Sequence, residues 1–321
     1  MTRWPLAMTL TAMLALGAHA AVADDRISIG YLVGSSAAPV KVIQQQNLAQ
    51  KHKLEMDARE FVDIGALDRT FVLGEYDVIS SLSLNTFGEY LNKGLDLVMV
   101  LGTLYPHGAI VVPKNSPYQT LADLRDKRVG VYGIHASSTA LFGVIARERF
   151  GLDIRKDMKI FGSVPSALPT LLAKGEVEAI LNIPPFVPRM VASGDYRILM
   201  TTMDEWEKIT GHKIPFAFMI ASRKTIETKR AGLRKMVAAW REAVEYLRAH
   251  PESLDPFLVS AKITDPGAQK IAQRIMVPHY MNSLTEKDVD NVRLYWESAV
   301  KYGFMTKAVQ AQRWYTFEFV R

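Results

Sequence analysis

The sequence has 321 residues and no cysteine. That absence excludes disulfides, thiolate-held metals, cysteine nucleophiles and the lipid-accepting cysteine that tethers many exported proteins. Charge of one sign is not concentrated either. Lys and Arg number 39 against 33 Asp and Glu, a formal net charge of +6, and the cations are scattered among the acids. Nucleic-acid binding calls for a basic stripe with interleaved aromatics, so the charge pattern implies a mildly basic, solvated surface and no nucleic-acid partner. There is no His-Glu-x-x-His motif, no Walker loop and no nucleophile elbow, and the seven histidines are dispersed. The expectation is a protein that is not an enzyme and carries no cofactor and no metal.

A chain of this length with 49% hydrophobic residues can bury a substantial core, in one large or two ordinary domains. Its first residues read differently from the rest. Arg3 gives a short positive region, Leu6 to Gly17 an apolar run of about a dozen residues, and the small-residue patterns AHA (18–20) and AVA (21–23) follow. This is the pattern of a secretory signal peptide over residues 1–23, cleaved after Ala20 or Ala23. The alternative, a membrane anchor, would need roughly 20 apolar residues. Loss of Arg3 lowers the net charge from +6 to +5. An exported, unlipidated chain without cysteine points to a bacterial periplasm.

Self-similarity is the strongest signal in what remains. RISIGYLVGSSAA (26–38) is echoed by RVGVYGIHASSTA (128–140), LGEYDVI (73–79) by KGEVEAI (174–180), and KGLDLVMV (93–100) by SGDYRILM (193–200). The offsets all lie near one hundred, so order and spacing are kept. Each unit reads as a strand, a hydroxyl-rich turn, a helix and further short strands separated by Gly-acid turns, which implies a parallel sheet flanked by helices and, twice over, two lobes.

In open α/β sheets, ligands bind beyond the carboxyl ends of the strands. Ser35, Ser36, Ser137, Ser138 and Thr139 fall at strand ends that open into helices, so the two hydroxyl clusters are expected on opposite walls of one cleft. Helix N-termini carry unsatisfied N–H groups and a partial positive charge that favour anions. One hydroxyl suffices as a cap; the others are free for a ligand, although all of them as caps and turn formers remains an alternative.

The chain crosses between lobes twice, at GAIVVPKNSP (108–117) and at PFAFMIA (215–221). Thr120 with Asp123 forms a capping-box pattern ahead of the strand from Arg128. From Thr225 onward there is no echo. Leu233, Met236, Val237, Trp240, Val244 and Leu247 recur at helical spacing, as do Val289, Val292, Trp296 and Val300 within a helix expected over 285–302. These helices are expected to complete the first lobe, giving lobe 1 as 24–112 with 217–321 and lobe 2 as 113–216.

IGYLVGSSAAP, LGEYDV, LADLRDKRVGV, the SST helix entry, LLAKGEVEAI and PPF (184–186) together resemble the nitrate, sulfonate, taurine and thiamine-precursor branch of ABC-transporter periplasmic substrate-binding proteins. The resemblance covers roughly residues 26 to 220. It implies an α/β, two-lobed type II binding-protein fold, with two crossover strands and a ligand held between lobes for delivery to a permease in the inner membrane. It also implies a monomer. Carried over residue by residue, the ligand-binding set is Gly34, Ser35, Ser36, Ser80, Ser81, Ser83, Tyr105, His107, Ser137, Ser138 and Thr139, joined in the cleft loops by His135, Pro185 and Phe186. Many relatives have an aromatic and an acid where this chain has Ile183 and Pro184. Those loops also hold Tyr31 and Tyr132 but hardly any Arg or Lys. Neutralisation by dipoles and hydrogen bonds suits one carboxylate or sulfonate, with aromatics beside a flat or apolar body. Two rival functions stay open: a periplasmic ligand sensor that engages a signalling partner, and a thiamine-pyrimidine-related enzyme of the same fold.

Overall fold

The computed structural model describes residues 25–321; the expected signal peptide lies outside the described residues. Ten strands form two sheets of five. In chain order they are β1 Arg26–Leu32, β2 Glu55–Phe61, β3 Val78–Ser83, β4 Leu97–Leu104, β5 Ala109–Pro113, β6 Arg128–Tyr132, β7 Lys159–Ser163, β8 Ala179–Asn182, β9 Tyr196–Thr201 and β10 Ala217–Ser222. The first sheet runs β2-β1-β3-β10-β4 and the second β7-β6-β8-β5-β9. Strands β1, β2 and β3 are parallel, as are β6, β7 and β8. Each sheet has one reversed strand in its fourth place, β10 in the first and β5 in the second.

That reversed strand is what joins the two halves. β5 leaves the first half to pair in the second sheet, and β10 returns to the first. The outward crossing falls at 105–108, a few residues ahead of the break at 112 expected from sequence. Pro113 ends β5, and the apolar run Ala109–Val112 before it is buried between β8 and β9. β4, LVMVLGTL, is buried along its whole length, as expected of a strand with both faces covered, whereas edge strand β2 alternates.

The capping box at Thr120 and Asp123 is present and starts a short 3-10 turn, Leu121–Leu124, ahead of β6. The helix Arg230–Ala249 buries the stripe read from sequence, Leu233 to Leu247, against the helix Ala38–Gln45 and the first sheet. The last long helix, Glu286–Lys301, departs from expectation by packing on both halves. It touches the helices Leu84–Asn92 and Ser137–Phe150, and its Asn291 accepts a hydrogen bond from Trp206 Nε1 at 2.7 Å. Gly143 makes room for this: a Cβ there would lie 2.0 Å from the Phe304 ring that follows the helix. The closing tail runs beside β4, where Met99 N donates to Trp314 O at 2.8 Å and Thr316 N to Met99 O at 3.0 Å.

Candidate functional site

Where the carboxyl ends of the two sheets face each other lies a cleft of about 650 Å³. Its walls follow from strand-to-helix turns. Leu32 ends β1 and Val33, Gly34 and Ser36 follow it; Val62, Asp63 and Ile64 come after β2; Ser81, Ser83, Asn85, Thr86 and Glu89 from β3 and the helix after it. Tyr132 ends β6 and His135, Ala136, Ser137 and Ser138 follow it, and Ile183, Pro184 and Pro185 come after β8. Leu104, His107, Phe216 and Ala217 supply the floor where the chain crosses. In the first sheet Ala217 pairs with both Ser83 and Leu104, which holds these neighbours in one row.

The helix-entry residues Asp63, Ser83, Ala136 and Pro185, each an N-cap, all line the cleft. Four helices thus direct their amino ends toward it, each carrying up to about half a positive charge. The Asp63 carboxylate occupies one of them, accepting from Ala66 N at 2.7 Å. The helix Ser137–Phe150 has no acidic residue in its first turn, and its leading N–H groups have no intrahelical acceptor. No Lys or Arg lines the cleft among the described residues; its charged side chains are Asp63 and Glu89, both exposed.

The hydroxyls divide sharply in their bonding. Ser137 Oγ lies 2.8 Å from Ser83 Oγ, a hydrogen bond that spans the two halves, and Ser83 also meets Thr86 Oγ1 at 3.1 Å. Thr139 is buried and donates to the carbonyls of Tyr132 and Gly133 at 3.0 and 2.8 Å, away from the cleft lining. Ser36 donates to Leu32 O at 3.3 Å. Ser81 and Ser138 line the cleft, are each 7% exposed, and have hydroxyls with no hydrogen-bond partner. A buried hydroxyl left unpaired costs about 1 to 3 kcal/mol, so these two are placed at a loss unless something in the cleft engages them.

Of the residues expected from sequence, Gly34, Ser36, Ser81, Ser83, His107, His135, Ser137, Ser138 and Pro185 line the cleft. Ser35 opens the 3-10 turn Ser35–Ala37. Ser80 is 1% exposed; its carbonyl accepts from Thr103. As neighbours on a strand, Ser80 and Ser81 point to opposite faces. Tyr105 lies outside the lining, under the Lys213 ammonium at 5.7 Å, and burial raises its phenol above the usual range. Phe186 begins the helix Phe186–Ser193 with Arg189 over its ring at 5.4 Å. Tyr31 is buried in the core, which leaves Tyr132 and Phe216 as the aromatics of the cleft. Val62, Asp63 and Ile64 were missed; applying the strand-end rule to β2 as well as β1 and β3 would have found them.

His107 is the titratable group set deepest in the floor. Burial pushes it down to about 4, partly offset by the nearby backbone of Tyr105, so it is neutral at ordinary pH. His279 stands edge-on to it, ring centroids 6.4 Å apart, and is pushed down to about 3 by burial first and then by His107 and Lys213.

Comparison with known proteins places this geometry. The family described as menaquinone biosynthesis, VitK2_biosynth, matches residues 52–311. A Haemophilus influenzae protein whose name assigns it provisionally to thiamine biosynthesis is 24% identical over 300 residues, 89% of this chain and 90% of that one. Among solved structures, the Escherichia coli periplasmic aliphatic sulphonate-binding protein aligns with a TM-score of 0.72 at 22% identity, over 89% of this chain and 90% of that one. The alkanesulfonate-binding protein of Xanthomonas axonopodis pv. citri, bound to MOPS, gives 0.70 at 18%, over 92% and 99%. The fold is therefore the two-lobed α/β architecture of periplasmic binding proteins.

Proposed function

With residues 52–311 matched, the chain belongs to the menaquinone-biosynthesis family, and from that membership and the chemistry of the cleft we propose that it captures a small organic anion between its lobes. The observation that carries this is the pair of unpaired, 7% exposed hydroxyls of Ser81 and Ser138, set among helix N-termini in a cavity of about 650 Å³. Donors without cations suit one carboxylate or sulfonate better than a multiply charged phosphate, because dipoles offset about one charge between them. The lobes are the two sheet-bearing halves, joined at 105–108 and 211–216. In the cell the protein is a periplasmic, monomeric component that hands its ligand to an ABC permease. The sulfonate-binding proteins that share the fold support this reading.

Catalysis is the second reading, favoured by the family's description. Among the described residues, however, no serine hydroxyl of the cleft is hydrogen-bonded to a histidine or a carboxylate. An activated nucleophile needs such a partner.

Native mass spectrometry of protein purified from exporting cells tests the proposal. The expected result is a bound small acid that is released on denaturation. A thermal-shift panel of alkanesulfonates, aromatic carboxylates and nitrate should then show a gain of about 2.7 kcal/mol at 100 times the dissociation constant. Neither bound mass nor stabilisation would overturn capture of an anion; conversion of a ligand during the incubation would favour the enzyme.

A further inference from the structure

Two helices open onto the cleft from different halves, Leu84–Asn92 behind Ser83 and Ser137–Phe150 behind Ala136, and they touch each other. A third segment grips both. After the helix Glu286–Lys301 the chain turns at Gly303, whose φ of +72° is a left-handed conformation that glycine adopts without strain. Residues 302–305 then meet each half in turn.

On the side of the second half, the Tyr302 phenol donates to Glu148 Oε1 at 2.7 Å and Arg155 Nη1 donates to Gly303 O at 3.1 Å. The Arg155 guanidinium lies 4.5 Å from the centre of the Phe304 ring, and that ring fills the space over Gly143. On the side of the first half, Asn85 Nδ2 donates to Phe304 O at 3.4 Å. Met305 packs on Gly88, where a Cβ would lie 2.9 Å from its methyl carbon.

These contacts fall on the helix bodies. Gly143 is six residues beyond Ser137, about 9 Å along the axis at 1.5 Å per residue, and Asn85 is two beyond Ser83. Fixing the bodies therefore fixes the mouths, where Ser83 and Ser137 are hydrogen-bonded at 2.8 Å. For the halves to part, Phe304 must leave Gly143 while the Glu148 and Arg155 contacts break with it.

We propose that residues 302–305 are a strap that holds the two helix mouths at a fixed separation before any ligand arrives, so that the halves of the unoccupied protein do not swing apart. A ligand of any chemistry then meets a preformed cleft, and its apparent affinity is not lowered by a fraction of open molecules.

Pulsed electron spin resonance on the full secreted protein, stripped of bound small molecules, tests this. The chain has no cysteine, so Leu73→Cys and Val164→Cys, at exposed positions in different halves and outside the cleft lining, take spin labels without background. The labelled parent should give one narrow distance distribution. Phe304→Ala should broaden it and add a population at longer distance, and Phe304→Leu, which refills part of the space over Gly143, should reverse most of that change. A broad distribution in the parent overturns the strap, as does a Phe304→Ala distribution equal to the parent's in protein with an unchanged circular dichroism spectrum. If Phe304→Ala fails to fold, Glu148→Ala with Arg155→Ala, both at exposed positions, decides: a shift to longer distance supports the strap and an unshifted distribution overturns it.

Discussion

The two helix entrances, after β1 and after β6, echo each other in sequence and differ in how their hydroxyls are bonded. Sheet pairing shows how. Gly30 pairs with Ile79 and Gly130 with Ile180, so these glycines are equivalent, as are Leu32 and Tyr132 two residues on. From Gly30 to the first helical serine, Ser35, is five residues; from Gly130 to Ser137 it is seven. The second turn is longer by two. In the first entrance Ser36 reaches back to the strand-end carbonyl of Leu32. In the second, the equivalent carbonyl of Tyr132 is taken by Thr139. That substitution frees Ser137 to bridge to Ser83 and leaves Ser138 unpaired in the cleft. Three hydroxyls at one helix mouth thus differ in their bonding: one pins the turn, one links the halves and one has no partner.

The largest expected effect bears on the floor between the entrances. His107 and His279 have folded-state values of about 4 and about 3, below the ordinary 6.5. The unfolded chain therefore binds protons first as pH falls. Stability is full above about 6.5 and is lost through the window down to about 4 and 3, by up to about 1.4 kcal/mol per pH unit for each histidine. Urea titrations at a series of pH values check this, and His279→Gln should flatten the slope. An unchanged slope would place the acid sensitivity elsewhere.

Thr139→Val strips the hydroxyl from two carbonyls at a buried position and should cost about 1 to 3 kcal/mol of stability, while Ser36→Ala, which loses one long and partly exposed bond, should cost about 0.5. Equal losses in chemical denaturation would break the assignment of unequal roles. In binding the asymmetry should reverse. Ser138→Ala should weaken an anionic ligand by about 1 to 3 kcal/mol and leave stability unchanged or higher, because it removes an unpaired buried group. Ser36→Ala should leave affinity within about 0.5 kcal/mol, read by calorimetry.

The smallest effect concerns the bridge. Ser83→Ala or Ser137→Ala removes one interlobe hydrogen bond, worth about 0.5 to 1.5 kcal/mol. Small-angle scattering of the unliganded variant should show a slightly larger radius of gyration than wild type, with the difference vanishing at saturating ligand.

Periodicity and repetition carried most of the fold. The apolar strands, the glycine-acid turns and the Leu233–Leu247 stripe all form where the pattern put them, because burying one face of a strand or helix is a local demand written at a fixed spacing. The helix Glu286–Lys301 shows where that stops. Its apolar stripe was readable, but its partners were not, since packing across both halves depends on Gly143 leaving a gap for Phe304, two residues far apart in sequence. Within the site, the turns after β1, β3 and β6 were legible as strand ends rich in hydroxyls, whereas the turn after β2 has only Asp63 to mark it.

By itself, then, the sequence determined that two similar α/β units face one another and that hydroxyls gather at their helix mouths. Which of those hydroxyls find partners within the protein follows from the folded arrangement. Ser, Thr and neighbouring carbonyls are interchangeable as partners on paper; the length of a turn, two residues in this case, sets which donor reaches which acceptor. A hydrogen bond needs heavy atoms within about 3 Å and near-linear geometry, a condition that residue types do not encode and three-dimensional placement does.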